Sequence, residues 1–169
     1  MSGLRTTPAR GEALSLSKGE PREPSAPVLR QAQDERKSGT VRIAGYAALF
    51  DVADGARDTI RKGAFARTIA EQPGELPLFW QHKPELRIGT IEKIAEDERG
   101  LRVIARIDKA DSLAMRMLQR REVSGLSFGY RARGYRSTPG GRVLEDIDLF
   151  EISLVTHPLQ SGARVHMVQ

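Results

Sequence analysis

Alternation of apolar and polar positions begins abruptly at Val41. Val41, Ile43, Ala47 and Leu49 fall on one side of a predicted strand that bends at Gly45. In GAFARTIAEQPG, Phe65 and Ile69 stand four apart before Pro73 and Gly74, the pattern of a short helix. LPLFWQH reads as a strand. RIGTIEKIAED and GLRVIARID flank a polar DER turn, with Leu101, Val103, Ala105 and Ile107 alternating against Arg102, Ile104, Arg106 and Asp108, which predicts a hairpin. Asp111 is placed to cap a helix over DSLAMRMLQRRE, whose Leu113, Met117 and Leu118 form an apolar stripe. VSGLSFGYRARGYRS presents Leu126, Phe128 and Tyr130 on one face, and a Pro139-Gly140-Gly141 turn leads into RVLEDIDLFEISLV.

Six or seven strands with two helices between only some of them suggest a mainly β fold, a small closed or nearly closed barrel rather than a doubly wound parallel sheet. Its interior would take Leu126, Phe128, Phe150, Ile152 and Leu154. Residues 1–39 carry Pro8, Pro21, Pro24 and Pro27 among polar residues with no sustained period, and are expected to be a disordered arm preceding a domain over 40–169. A chain of 169 residues is long enough for one domain with a real core.

The absence of cysteine removes disulfides, thiolate nucleophiles and cysteine-ligated metals, so a nucleophile here must be an oxygen or an amine. No apolar run is long enough to span a bilayer and no secretory signal is evident, which makes a cytoplasmic location the default expectation. A net charge of +5 would favour nucleic acid, but aromatics are 5% of residues and do not interleave with the basic ones, so a stacking platform lacks support.

Ser127 lies between Leu126 and Phe128, and Glu151 between Phe150 and Ile152. Period-2 geometry turns both away from the apolar interior, onto an outer face. His82 follows a strongly apolar strand. A serine hydroxyl needs a base within reach, and that base needs a third group to fix its tautomer, roles that His82 and Glu151 suit chemically. Each also has a plainer reading: a small strand residue, a packed histidine, a solvated carboxylate. Ser124 is a rival nucleophile, and Asp146 and Asp148 are rival acids in a stretch expected to be solvated.

Three blocks, LPLFWQHKPELRIGTIEKIAEDERGLRVIARI, VSGLSFGY and LFEISLVTHPLQSGARV, together with GYAALF and RKGAFARTI, resemble the prohead serine proteases of HK97-like tailed phages. The resemblance runs from about Gly45 to Val165. It implies a fold related to the herpesvirus assembly proteases, with Ser127 as nucleophile, His82 as base and Glu151 as the third member where those relatives have a second histidine. His157, in SLVTHPLQ, is a rival third member; Pro158 argues against strand geometry reaching it.

The resemblance further implies a serine endopeptidase without cofactor or metal. Its substrates would be a scaffold, as a separate chain, or the N-terminal arm of the major capsid protein, with self-cleavage besides, inside the assembling prohead in the bacterial cytoplasm. A homodimer is the assembly left open, and neither membrane nor specific nucleic acid is expected as a partner. Two other classes stay on the table: a basic barrel that binds nucleic acid, and an inactive shell component.

Overall fold

The computed structural model describes residues 39–72 and 74–169. The expected N-terminal arm, apart from Gly39, lies outside them. The described chain runs β1 (Val41–Leu49), β2 (Asp58–Ile60), α1 (Ala66–Ala70), β3 (Leu76–Trp80), β4 (Lys83–Glu96), β5 (Gly100–Ile107), α2 (Leu113–Gln119), β6 (Gly125–Thr138), β7 (Gly141–Val155) and β8 (Val165–Val168). The expected mainly β architecture is observed, with β2 and β8 as short strands that the sequence pattern does not reveal.

Hydrogen bonding runs β2-β7-β3-β4-β5-β1-β8, and β6 pairs with β7. The residues just before β8 link the two ends. Leu126 N–H donates to Ala163 O and Val165 N–H to Ser124 O on one side, while Tyr46 N–H donates to Arg164 O on the other. A Cβ on Gly45 would lie 2.1 Å from the Arg164 carbonyl oxygen, so this crossing requires glycine there. The sheet thereby curls into a nearly closed barrel.

The interior follows the alternation. Leu101, Val103, Ala105 and Ile107 of β5 are all buried, as are Ile43 of β1, Leu76 and Leu78 of β3, and Leu126, Ile152 and Leu154 of β6 and β7. Phe128 packs at the edge of this core, against Phe65 and Tyr130.

Phe150 departs from the expectation that it points inward: it is 52% exposed. The β6–β7 register shifts between Gly129 and Tyr130, whose partners are Glu151 and Leu149, so Phe150 is left as a bulge residue without a partner. The bulge reverses the facing of β7, and Leu149 and Ile147 fill the interior beyond it. Arg131 stacks over the exposed Phe150 ring.

On its other side β7 pairs with β2 through Arg142–Leu144 and with β3 through Ile152–Leu154, both in parallel. Between these stretches the sheet is open. Helix α1 and the residue chain leading to it close the gap: Ile147 N–H donates to Ala64 O, and Leu149 N–H to the buried Thr68 hydroxyl. Glu151 is held at the β3 end of this gap. The second helix is capped by Ser112, whose Oγ accepts from Met115 N–H, and not by Asp111. Ser112 has the extended φ/ψ an N-cap needs and is one residue closer to the first turn.

Candidate active site

Strand β3 ends at Trp80, and β4 begins at Lys83 as its antiparallel partner, so Gln81 and His82 are the two central residues of a tight hairpin turn. Both have positive φ, 53° and 57°. Such turns usually carry Asn-Gly, because a Cβ in the left-handed region is strained by about 1–3 kcal/mol. The strain persists because the turn is tied down elsewhere. Gln81 N–H donates to Leu154 O, its Nε2 donates to Thr156 Oγ1 at 2.7 Å, and its Oε1 accepts from Thr156 N–H. His82 N–H donates to Ser153 Oγ at 3.2 Å.

This backbone brings the imidazole over β7, where His82 Nδ1 meets Glu151 Oε1 at 2.6 Å. A carboxylate can only accept, so Nδ1 carries the shared proton and Nε2 is left free to accept another. The hydrogen bond raises the imidazole above its ordinary pKa. Partial burial opposes the rise and the charge of Glu151 adds to it. The other carboxylate oxygen, Oε2, accepts from Ser153 Oγ at 2.7 Å.

Ser127 lies one strand away. It pairs in register with Ser153, and Gly129 pairs with Glu151, so Ser127, Gly129, Glu151 and Ser153 share one face of the β6–β7 pair. Directly opposite residues have Cβ atoms about 5 Å apart, which sets Ser127 beside Ser153, the residue bonded to Glu151 Oε2 and to His82 N–H. Gly129 is the floor under the carboxylate: a Cβ there would lie 2.6 Å from Glu151 Oε1.

The face is not the open, solvated one the alternation suggests. Ser127 is 8% exposed and Glu151 9%. Among the described residues the Ser127 hydroxyl has no hydrogen-bond partner, and no fully buried side-chain oxygen or nitrogen is unsatisfied, so this hydroxyl meets solvent. A shallow cleft opens beside it, with Asp54, Tyr130, Leu159 and Gln160 in its wall.

The rival residues are placed elsewhere. Ser124 Oγ accepts from Arg164. Asp146 accepts from Arg67, and Asp148 from Arg67, Arg131 and Arg133. Asp148 is buried rather than solvated, and these guanidiniums, Arg67 first, hold its carboxyl far below the usual carboxylate range. His157 is exposed in a bend beyond the end of β7, and His166 packs edge-on against Tyr46 in β8. No three His, Asp or Glu side chains converge as a metal site among the described residues.

Three residues that shape the site went unnoticed or unassigned in the sequence: Ser153, Gly129 and Gln81. The first two carry a simple signal, since each lies two positions after a candidate residue and so on its face. Gln81 carries none, because its role depends on a strained turn and on Thr156, 75 residues away.

Comparison with known proteins identifies the family of the chain. The family model for the caudovirus prohead serine protease matches residues 28–169. The prohead protease of Enterobacteria phage HK97 is 34% identical over a 128-residue alignment that covers 72% of this chain and 57% of that protein; the chain thus spans little more than half of that relative's length. Among solved structures, the bacteriophage T4 capsid assembly protease superposes with a TM-score of 0.56 at 14% identity, over 68% of this chain and 80% of that one. The varicella-zoster virus protease gives 0.53 at 17% identity, over 78% and 64%. At such identities the two structures speak to the fold alone, whereas the family match extends over nearly all of the sequence. The chain belongs to the caudovirus prohead serine protease family.

Proposed function

We propose that this chain is a serine endopeptidase of prohead maturation in which Ser127 is the nucleophile, His82 the general base and Glu151 the group that orients it. The observation that carries the reading is the 2.6 Å contact of His82 Nδ1 with Glu151, which leaves Nε2 free to accept a proton, together with the in-register pairing of Ser127 with Ser153, the residue bonded to both Glu151 and the His82 backbone. His82 Nε2 takes the Ser127 proton as Oγ bonds to the scissile carbonyl carbon. The imidazolium then gives that proton to the departing amine. Water, deprotonated by the same imidazole, releases the acyl group and restores Ser127. Glu151 keeps the proton on Nδ1 and balances the imidazolium charge while it exists.

The substrates that family membership supports are assembly proteins: a scaffold or the N-terminal arm of the major capsid protein, and the protease itself. Enclosure in an assembling prohead, within the bacterial cytoplasm, raises the local substrate concentration. Modest intrinsic affinity then suffices. The test is co-expression of the full chain with the neighbouring capsid gene, followed by mass spectrometry of the products. Truncated capsid or scaffold chains with wild type, absent with Ser127→Ala and with His82→Ala, are the expected result. Intact substrates with wild-type protein inside assembled particles would make the chain an inactive shell component.

A further inference from the structure

Ser153 is fully buried, and its hydroxyl is where the strands of the candidate site meet. It donates to Glu151 Oε2 at 2.7 Å and accepts from His82 N–H at 3.2 Å. In register it is the partner of Ser127 on β6 and of Phe79 on β3. A hydroxyl has one proton to give and lone pairs to receive with, a carboxylate can only accept, and a backbone N–H can only donate. The assignment of donor and acceptor is therefore forced.

We propose that Ser153 is a positioning residue for the His82–Glu151 pair, referring both the carboxylate and the histidine backbone to a single buried oxygen. The inference rests on the endopeptidase reading for its place in catalysis. A glutamate carboxylate turns freely about its last bond, and a donor fixed on Oε2 sets the plane so that Oε1 faces Nδ1. Meanwhile the N–H contact holds the second left-handed residue of the turn, whose strained φ needs an anchor. Neither service can come from an alanine at 153. Ser127 cannot supply them either, since its hydroxyl is unbonded and must stay free to react.

The ring of His82 reports on this arrangement directly. Glu151, from β7, is the charged group acting on it; β6 presents the uncharged Ser127 and Gly129, β3 ends in the uncharged Trp80, and Lys83 of β4 is exposed. Loosening the carboxylate weakens the interaction that raises the imidazole, so its titration midpoint should move down.

The experiment uses the full chain as wild type, Ser153→Ala and Ser153→Thr. Its three histidines are followed by NMR against pH, with His157→Gln and His166→Gln assigning the signals. In Ser153→Ala the His82 midpoint is expected to fall by about half a pH unit or more, with the other two unmoved, and the hydroxyl of Ser153→Thr to return it toward wild type. On a peptide carrying the mapped cleavage site, kcat should fall about tenfold or more with KM nearly unchanged, and the acid limb of the kcat/KM profile should follow the NMR midpoint. A folded Ser153→Ala protein whose His82 midpoint stays at the wild-type value overturns the proposal, whatever its activity. A wild-type chain that cleaves nothing overturns the endopeptidase reading instead, and the titration still decides whether Ser153 holds the pair.

Discussion

The sharpest perturbation of the site is a single methyl group added where no chemistry occurs, in Gly129→Ala. The new Cβ would lie 2.6 Å from Glu151 Oε1, 2.9 Å from Cγ and 3.1 Å from Cδ, against ordinary contacts that begin near 3.4 Å. The carboxylate must retreat by about 0.8 Å, the difference between the first and last of these distances. It has little room to do so, because Glu151 is 9% exposed and its other oxygen is bonded to the fully buried Ser153. The whole terminal group is opposed rather than one flexible tip, so rotation does not relieve the clash.

Oε1 is the oxygen that meets His82 Nδ1, and a hydrogen bond starting at 2.6 Å loses most of its strength when displaced by that amount. A misplacement near 1 Å costs on the order of a hundredfold in rate. Overpacking of a buried site costs about 1–3 kcal/mol of stability, which a domain of this size tolerates. The prediction is therefore a folded protein with kcat reduced about a hundredfold and a lowered His82 midpoint. Gly134→Ala, on the same strand but with its Cβ 3.3 Å from Asp146 Cβ, is the control and should keep near wild-type activity. Thermal unfolding, peptide turnover and labelling of Ser127 by a serine-directed phosphonate are the assays. Wild-type turnover by Gly129→Ala with an unshifted His82 midpoint would refute the reasoning.

Three further outcomes follow from the same geometry. Glu151→Gln removes the charge and the charge-assisted hydrogen bond that raise His82, leaving at most a neutral amide hydrogen bond against the burial that lowers it. Its activity should persist at about a hundredth of wild type or less, with the acid limb at lower pH than in wild type, where the rate rises only as the raised imidazole loses its proton; a pH profile of kcat/KM checks both. His157→Ala should cleave at close to the wild-type rate, since that side chain is exposed beyond β7; inactivity equal to that of Ser127→Ala would move the third role to it. Arg142→Met leaves the carboxylate of Asp58, which is 2% exposed and which Arg142 chiefly holds below its ordinary pKa, with the Tyr130 hydroxyl as its remaining side-chain donor among the described residues. As the Arg142 side chain is itself 44% exposed, the loss should be about 1–3 kcal/mol by urea unfolding. Because Asp58 is depressed in the folded state, its contribution is present above the ordinary carboxylate range and is lost as pH falls through the folded value.

The barrel wall was readable residue by residue, because alternation is a local property: Leu101 to Ile107 must present every second side chain to one face whatever lies opposite. Period 2 likewise put Ser127 and Glu151 on faces away from Leu126 and Ile152. It could not say what covers those faces, and both side chains proved buried. Nor could it foresee the bulge that exposes Phe150, since a bulge is a mismatch between two strands and belongs to neither alone.

The approach of His82 to Glu151 is a tertiary matter in the same sense. The two residues are 69 apart, joined by a parallel pairing of β3 with β7 and by a strained turn that Gln81, Thr156 and Ser153 hold in place. Motif resemblance could name His82 and Glu151 as partners without any account of the contact. The choice of candidate groups was thus a property of local sequence, while their distances, burial and protonation depend on strands brought together from across the chain. Hydrogen bonds and desolvation act only between groups that folding has already made neighbours.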